Sequence, residues 1–427
     1  MEDSPGKTRK RVAMPMSFDR VLYRIMTGSW GKFVFHPGPC SLEGASIPNP
    51  VGIYVHIPFC RSICPFCPYN KVLYEREIAK SYSHCLNSET KQIISDLNGA
   101  RISSIYFGGG TPLTLPGAIE SLVGLMRPHL VPGADIAVEV HPDDIVPSTI
   151  DCMRETGVEM VSLGVESLDN EVLNRLGRSH DPATAVRALE TLIDTGGFSV
   201  NVDLITGIPG QSTESVLSDM TQIFKYGVDQ VSAYPLMDFP FTSIRSPLSL
   251  REQLRLLTAI DSAGSRAGYE RSSVWTWTKP SARKYTSITR EYYIGIGVGA
   301  ASHLGRRFWL NTFSVESYIN AIGAGTSPVA LSTPLSAMES ALYWLFWRCY
   351  EGTFDLQAPE ALSIPALPHL VNALERLGLA RRISSVVRLT DLGLFLYHIL
   401  ERYYTRRYIG RLWQCCRTSA FPPGIDM

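Results

Sequence analysis

The sequence predicts an α/β protein: six parallel βα units forming an open or partial barrel, followed by a smaller and mostly helical unit. Two observations lead there. Short apolar, β-rich runs alternate with amphipathic helical ones from Gly52 to Gly264, which is the pattern of parallel βα units. Six such units are too few for the closed eight-fold barrel, and 427 residues exceed one ordinary core.

The elements follow in order. "GIYVHIPF" (52–59) reads as the first strand and "REIAKSYSHCLNSETKQIISDL" (76–97) as its helix. The next pairs are "ISSIYFGG" with "LPGAIESLVGLM", then "DIAVEVHP" with "PSTIDCMRETG". "MVSLGVES" precedes "DPATAVRALETLIDTG", "FSVNVDLITGIP" precedes "STESVLSDMTQIFKYG", and "QVSAYPLM" precedes "LREQLRLLTAIDSAG". Chemistry in such architectures gathers on loops at the C-terminal ends of the strands. The unusual residues fall there: a CxxxCxxC frame (Cys60, Cys64, Cys67) after the first strand, "GGGTP" (108–112) after the second, then Glu139, Glu166 and Asp203 ending the third, fourth and fifth.

Composition narrows the class. Forty Lys and Arg balance forty Asp and Glu, which argues against a general nucleic-acid binder. The N-terminus has basic residues but no apolar signal-peptide core, and no uninterrupted transmembrane-length run occurs, so a cytoplasmic protein is expected. Nine scattered cysteines argue against a disulfide framework and for metal or redox chemistry at the clustered three. Cys40, Cys85, Cys152 and Cys349 stand alone and read as plain thiols, and the Cys415–Cys416 pair lacks partners for a structural zinc. Three thiolates leave one iron of a four-iron cluster open to an outside ligand. Zinc fails on count, because no fourth ligand stands nearby.

At these residues the chain resembles radical S-adenosylmethionine (SAM) enzymes of the oxygen-independent coproporphyrinogen oxidase-like branch. "YVHIPFC", "FGGGTP", "EVHPDD", "GVES" with "NRLGR", and "VDLITGIPGQ" match in order and spacing over roughly residues 50–310. "LTDLG" (389–393) is similar to part of that branch's winged-helix-like C-terminal domain. The resemblance implies a partial (βα)6 radical SAM barrel over 46–310, an N-terminal extension (1–45) over the barrel mouth, and a helical domain over 311–427. It implies a 4Fe-4S cluster on Cys60, Cys64 and Cys67, with Phe66 near a SAM adenine. Tyr54, Gly109, Glu139 and Ala301 match positions around the cluster-bound SAM. Gly110, Thr111, Glu166, Arg178, Asp203 and Met237 match positions around a second SAM.

Three departures shape the functional expectation. Tyr69 stands where the coproporphyrinogen oxidase has a further cysteine, and Glu166 replaces a glutamine. The HNxxYW box of haem-chaperone relatives is missing, with no His between Trp277 and His303. Together with "YTSITREYYIGIGVGAAS" and "FWLNTFSVESYI", these point to the branch's two-SAM methyltransferases. The expected activity is transfer of a SAM-derived carbon to an sp² carbon of an aromatic or polyunsaturated small molecule such as a quinone, through a 5′-deoxyadenosyl radical. Glu166, Tyr234 and His303 are the candidate bases. The alternatives are a porphyrinogen oxidase or haem-opening methylase, and a haem-trafficking protein. A flavodoxin- or ferredoxin-type reductant and a monomeric state are expected. "ERYYTRRYIGRLW" (401–413) mixes arginines with aromatics, which fits either a core-facing helix or one lying on a membrane surface.

Overall fold

In the computed structural model the described residues are 34–38, 47–283 and 291–427. Six strands form the parallel centre: β1 (Val51–Ile57), β2 (Ile102–Gly109), β3 (Leu130–Val140), β4 (Met160–Glu166), β5 (Ser199–Thr206) and β6 (Gln230–Pro235). Each pairs in parallel with the next. A helix follows each strand and buries its apolar stripe against the sheet, as the alternation of periods predicts. The ends are capped locally. Asp169 Oδ1 accepts from Glu171 N at 2.9 Å to start Asn170–Leu176, and Gly177, at φ 68°, stops it.

The sheet does not close. Tyr293–Ile296 adds in parallel to β1, and Thr276–Thr278 adds antiparallel to β6. Beyond Tyr293–Ile296 the strands Ala301–Leu304, Arg307–Asn311, Val329–Pro334, Val34–Pro37 and Ile425–Asp426 continue antiparallel. This is a partial (βα)6 barrel with an antiparallel wing, fourteen strands in one sheet among the described residues.

The wing crosses the expected boundary at residue 310. Arg307–Asn311 spans it, and the sheet runs on to Pro334. A small unit follows: helices Ala337–Tyr350, Leu367–Arg376 and Asp391–Tyr404 pack on a three-stranded sheet. Trp344, Phe354, Leu367, Val371 and Val387 form its own core, in a winged-helix-like arrangement. The chain then returns to the barrel through helix Gly410–Thr418 and strand Ile425–Asp426. Of the expected N-terminal extension, residues 1–33 and 39–46 lie outside the described residues, as do 284–290 of the segment before "GIG". Val34–Pro37 is a strand of the wing.

One buried carboxylate ties the wing to the barrel. Glu89, on helix Arg76–Asp96, accepts from Gly297 N (2.8 Å), Asn311 Nδ2 (3.1 Å) and the Tyr318 hydroxyl (2.5 Å). Burial pushes its carboxyl up to about 7. Tyr82 accepts from Val298 N at 2.9 Å and donates to His56 O at 2.8 Å. The Gly295–Gly299 turn is therefore held from behind at fixed depth. No described helix is long and apolar enough to cross a membrane.

Candidate cluster and cofactor site

The loop leaving β1 carries the three cysteines onto the C-terminal rim of the barrel. Cys60, Cys64 and Cys67 line one cavity of about 290 Å³ together with Lys71, Gly110, Thr111, Glu166, Arg178 and Asp203. A turn bond from Cys67 N to Cys64 O (3.3 Å) folds the loop, and Ser243 N donates to Pro65 O at 3.2 Å. Gly110 is needed here for packing: its N donates to Ile57 O at 2.8 Å, and a Cβ would lie 2.7 Å from the Pro58 backbone. Thr111 Oγ1 lies 3.7 Å from the Cys60 sulfur.

All three thiols are free, and burial pushes Cys60 up to about 11. As they stand they are protonated; a bound metal would displace those protons. Among the described residues no three His, Cys, Asp or Glu side chains converge closely enough for a single metal ion. A four-iron cluster instead takes each thiolate on a separate iron. Three unpaired thiols around one cavity, with Arg178 Nη1 at 4.0 Å from the Cys64 sulfur, fit such an anionic cluster.

A second cavity of about 240 Å³ adjoins the first and shares Tyr69, Gly109 and Glu139 with it. Tyr54, Tyr106, Phe313, Trp347 and Trp413 supply aromatic wall, and Ala301 and Gly299 a smooth side. Glu139 anchors it, accepting from the Tyr106 hydroxyl at 2.7 Å and from Gly109 N at 3.1 Å. His56 was not singled out by sequence, though it stands inside the quoted strand. Its Nε2 donates to Asn70 O (2.8 Å), so Nδ1 accepts from the Tyr54 hydroxyl (2.9 Å). Burial lowers His56 to about 4, which keeps it neutral.

The predicted residues divide between the two spaces. Tyr54, Gly109, Glu139 and Ala301 line the aromatic cavity. Phe66, Gly110, Thr111, Glu166, Arg178, Asp203, Tyr234 and Met237 line the cysteine cavity. Phe66 also packs against the cluster of Val172, Leu176 and Ile208. Asp203 already accepts from Ser162 Oγ (2.6 Å) and Asn201 Nδ2 (2.9 Å). Arg178 donates to Gly164 O (2.6 Å) and stands 3.6 Å from Glu166 Oε1. Burial pushes Glu166 up to about 7 against the pull of Arg178, and Asp203 up to about 6. Glu166 also sits at φ 65°, beside a register shift between β4 and β5. Such a conformation in a non-glycine residue needs surrounding structure to hold it. His180, whose Nε2 donates to Val165 O at 3.1 Å, and Arg178 supply that.

Two of the candidate bases need correction. Burial holds the Tyr234 phenol well above its ordinary value, so at neutral pH it keeps its proton. His303 lines neither cavity; its Nδ1 donates to Glu291 O at 2.7 Å, and its ring lies 4.4 Å from that of Tyr343. It lies two residues beyond Ala301 on the same strand, on the same face but farther from the rim, under helix Ala337–Tyr350. Two aromatics of 401–413 pack on the rest of the protein: Tyr404 meets Phe346, and Trp413 stacks on Phe239 at 5.6 Å.

Fold and site together are those of a radical SAM protein, and the comparisons agree. Residues 54–223 match the Radical SAM superfamily. "Heme chaperone HemW" of Mycobacterium tuberculosis (strain H37Rv) is 30% identical over 384 residues, 86% of this chain and 94% of the relative. "Heme chaperone HemW" of Bacillus subtilis is 28% identical over 363 residues, 80% of this chain and 96% of the relative. "Oxygen-independent coproporphyrinogen III oxidase" of Paracoccus denitrificans is 26% identical over 302 residues, 64% of this chain and 67% of the relative. The solved structure of coproporphyrinogen III oxidase (HemN) from Escherichia coli superposes with a TM-score of 0.74 at 22% identity, covering 88% of this chain and 95% of that one, a likeness of fold.

The chain belongs to the radical SAM superfamily, in the coproporphyrinogen oxidase-like branch that holds HemW and HemN. Membership implies a 4Fe-4S cluster and SAM. The expectation of a small-molecule methyltransferase is overturned: relatives matched over 94% and 96% of their length are named haem chaperones, and relatives matched over smaller shares are named haem chaperone, anaerobilin synthase or coproporphyrinogen oxidase. The missing HNxxYW box weighed too heavily in that expectation. It is one short segment, whereas the likeness to the haem chaperones covers 86% of the chain.

Proposed function

We propose that the protein binds haem and hands it on, using a radical SAM scaffold that holds a 4Fe-4S cluster and SAM. The observation that carries this is the 30% identity to a haem chaperone over 94% of that relative's length. The site is compatible with it. The cluster, when bound, supplies one-electron reducing power. Of the candidate bases, Tyr234 is protonated and His303 is elsewhere, and Asp203 is already doubly hydrogen-bonded; Glu166 alone remains in the cavity, 3.6 Å from Arg178. Gly110, Thr111, Glu166, Arg178, Asp203 and Met237 share the cysteine cavity, and we extend the proposal to a second SAM there, which binding stoichiometry tests.

The experiment is a haem titration of anaerobically reconstituted protein, followed through the Soret band. A saturable shift ending at one haem per chain is expected. An unshifted band, or a shift rising without saturation, would overturn the reading. The missing box adds one further test: 278–302 holds no His, so a histidine ligand comes from outside it, and a Soret shift on replacing Tyr285, Tyr292 or Tyr293 would instead mark a tyrosine ligand.

A further inference from the structure

The cysteine loop is short of backbone partners. Pro65 and Pro68 carry no N–H, and the loop's own bonds are the single turn at Cys64–Cys67 and its ends at Val72 and Tyr74. Three successive carbonyls, those of Cys67, Pro68 and Tyr69, nevertheless have donors, and each donor is a cation. Lys71 Nζ donates to Cys67 O at 2.6 Å. Arg417, from the far end of the chain, donates through Nη2 to Pro68 O at 2.7 Å and to Tyr69 O at 3.1 Å.

Arg417 is itself held. Its guanidinium lies 4.4 Å from the ring centre of Phe241 and 5.7 Å from that of Phe313, both on the barrel side. One turn earlier on the same helix, Trp413 packs against Tyr69 at 6.1 Å, stacks on Phe239 and lines the aromatic cavity. The helix is fixed at both ends: Gly410 lies against Phe239 and Pro240, and Ile425–Asp426 pairs with Val34–Pro37.

We propose that helix Gly410–Thr418 is a built brace of the cluster site, in which Arg417 is a positioning residue for the cysteine loop and Trp413 walls the adjoining aromatic cavity. Arg417 acts in two ways. Its Nη2 ties down the two carbonyls that follow Cys67, and its charge stands behind the loop that would hold an anionic cluster. Nearby positive charge and limited solvent access both tune the potential of such clusters. This inference rests on family membership and the cysteine geometry, not on haem binding, so the haem titration does not bear on it.

The test uses the full chain, reconstituted without oxygen. Arg417→Met is expected to bleach in air several-fold faster than wild type and to show a lower midpoint potential in an EPR-monitored titration. Arg417→Lys keeps the charge without the planar guanidinium held over Phe241, so it recovers the potential but not the air stability. In protein without iron, Arg417→Met speeds tryptic cleavage after Lys71, a readout that needs no cluster. Wild-type rates of bleaching and cleavage with an unchanged potential would overturn the proposal. Should Arg417→Met fail to fold by circular dichroism, Trp413→Ala decides: faster bleaching at an unchanged potential supports the brace, and unchanged bleaching refutes it.

Discussion

The aromatic cavity of about 240 Å³ and the cysteine cavity of about 290 Å³ meet at Tyr69, Gly109 and Glu139, yet they are made of different materials. Rings and small residues wall the first, and its Glu139 carboxylate is held by a tyrosine hydroxyl and a backbone N–H. Thiols, Glu166, Asp203, Arg178 and Lys71 wall the second. Both are apolar enough overall to push their carboxylates up to about 6 or 7. The difference lies in what is left unsatisfied. The first space has its charge hydrogen-bonded and offers surface for a ligand to pack against. The second concentrates groups whose charge depends on what binds, the thiols above all.

The largest effect should come from the cysteines. Cys60→Ala, Cys64→Ala or Cys67→Ala is expected to abolish the cluster, read as iron, sulfide and visible absorption after anaerobic reconstitution. Cys152→Ala, on a helix behind the sheet with its sulfur 3.8 Å from Pro116 O, should leave the cluster intact. Retention of a full cluster in any of the three would break the assignment of the second cavity.

A middle-sized effect tests whether the cavities are separable. Glu139→Ala strands the Tyr106 hydroxyl and Gly109 N, so SAM affinity by equilibrium dialysis should fall about tenfold, the worth of ~1.4 kcal/mol for lost charged hydrogen bonds. Iron content should be unchanged. Equal loss of iron would mean that the two spaces act as one.

The smallest effect concerns the support behind the aromatic cavity. Glu89 is raised in the folded state from 4.5 to about 7, so the folded state binds more protons than the unfolded one in that window. Its contribution is fully present below about 4.5 and is lost as pH rises through about 7. Glu89→Gln should therefore flatten the fall in stability across that window, by no more than ~3.5 kcal/mol at ~1.4 kcal/mol per unit, read as a shallower fall in melting temperature. SAM affinity at neutral pH should change little. A slope identical to wild type would show that Glu89 is charged throughout.

Much of this was legible from local pattern. The alternation of strand and helix periods placed all six barrel strands, because side-chain direction repeats every two or 3.6 residues whatever the rest of the chain does. The Cys60–Cys64–Cys67 spacing put three thiols on one loop at a strand's C-terminal end, and that spacing is a property of the segment alone. The positions of Glu139, Glu166 and Asp203 followed from the same strand ends. The wing beyond residue 310 was not legible, since its antiparallel strands are short and do not continue the regular strand–helix alternation of the barrel. His303 was misplaced because a strand position two residues from the rim reads the same as one at the rim.

The sequence by itself determined the barrel, the cysteine frame and the strand-end carboxylates, all of which depend on residues within one turn or one strand of each other. Only the tertiary structure decided which cavity each carboxylate faces, that Glu89 reaches Gly297 and Tyr318, and that Arg417 reaches Pro68 and Tyr69. These pairs lie hundreds of residues apart, and no period or spacing encodes them. They form because burial leaves polar groups that must find partners, and the fold alone sets which partners are within reach.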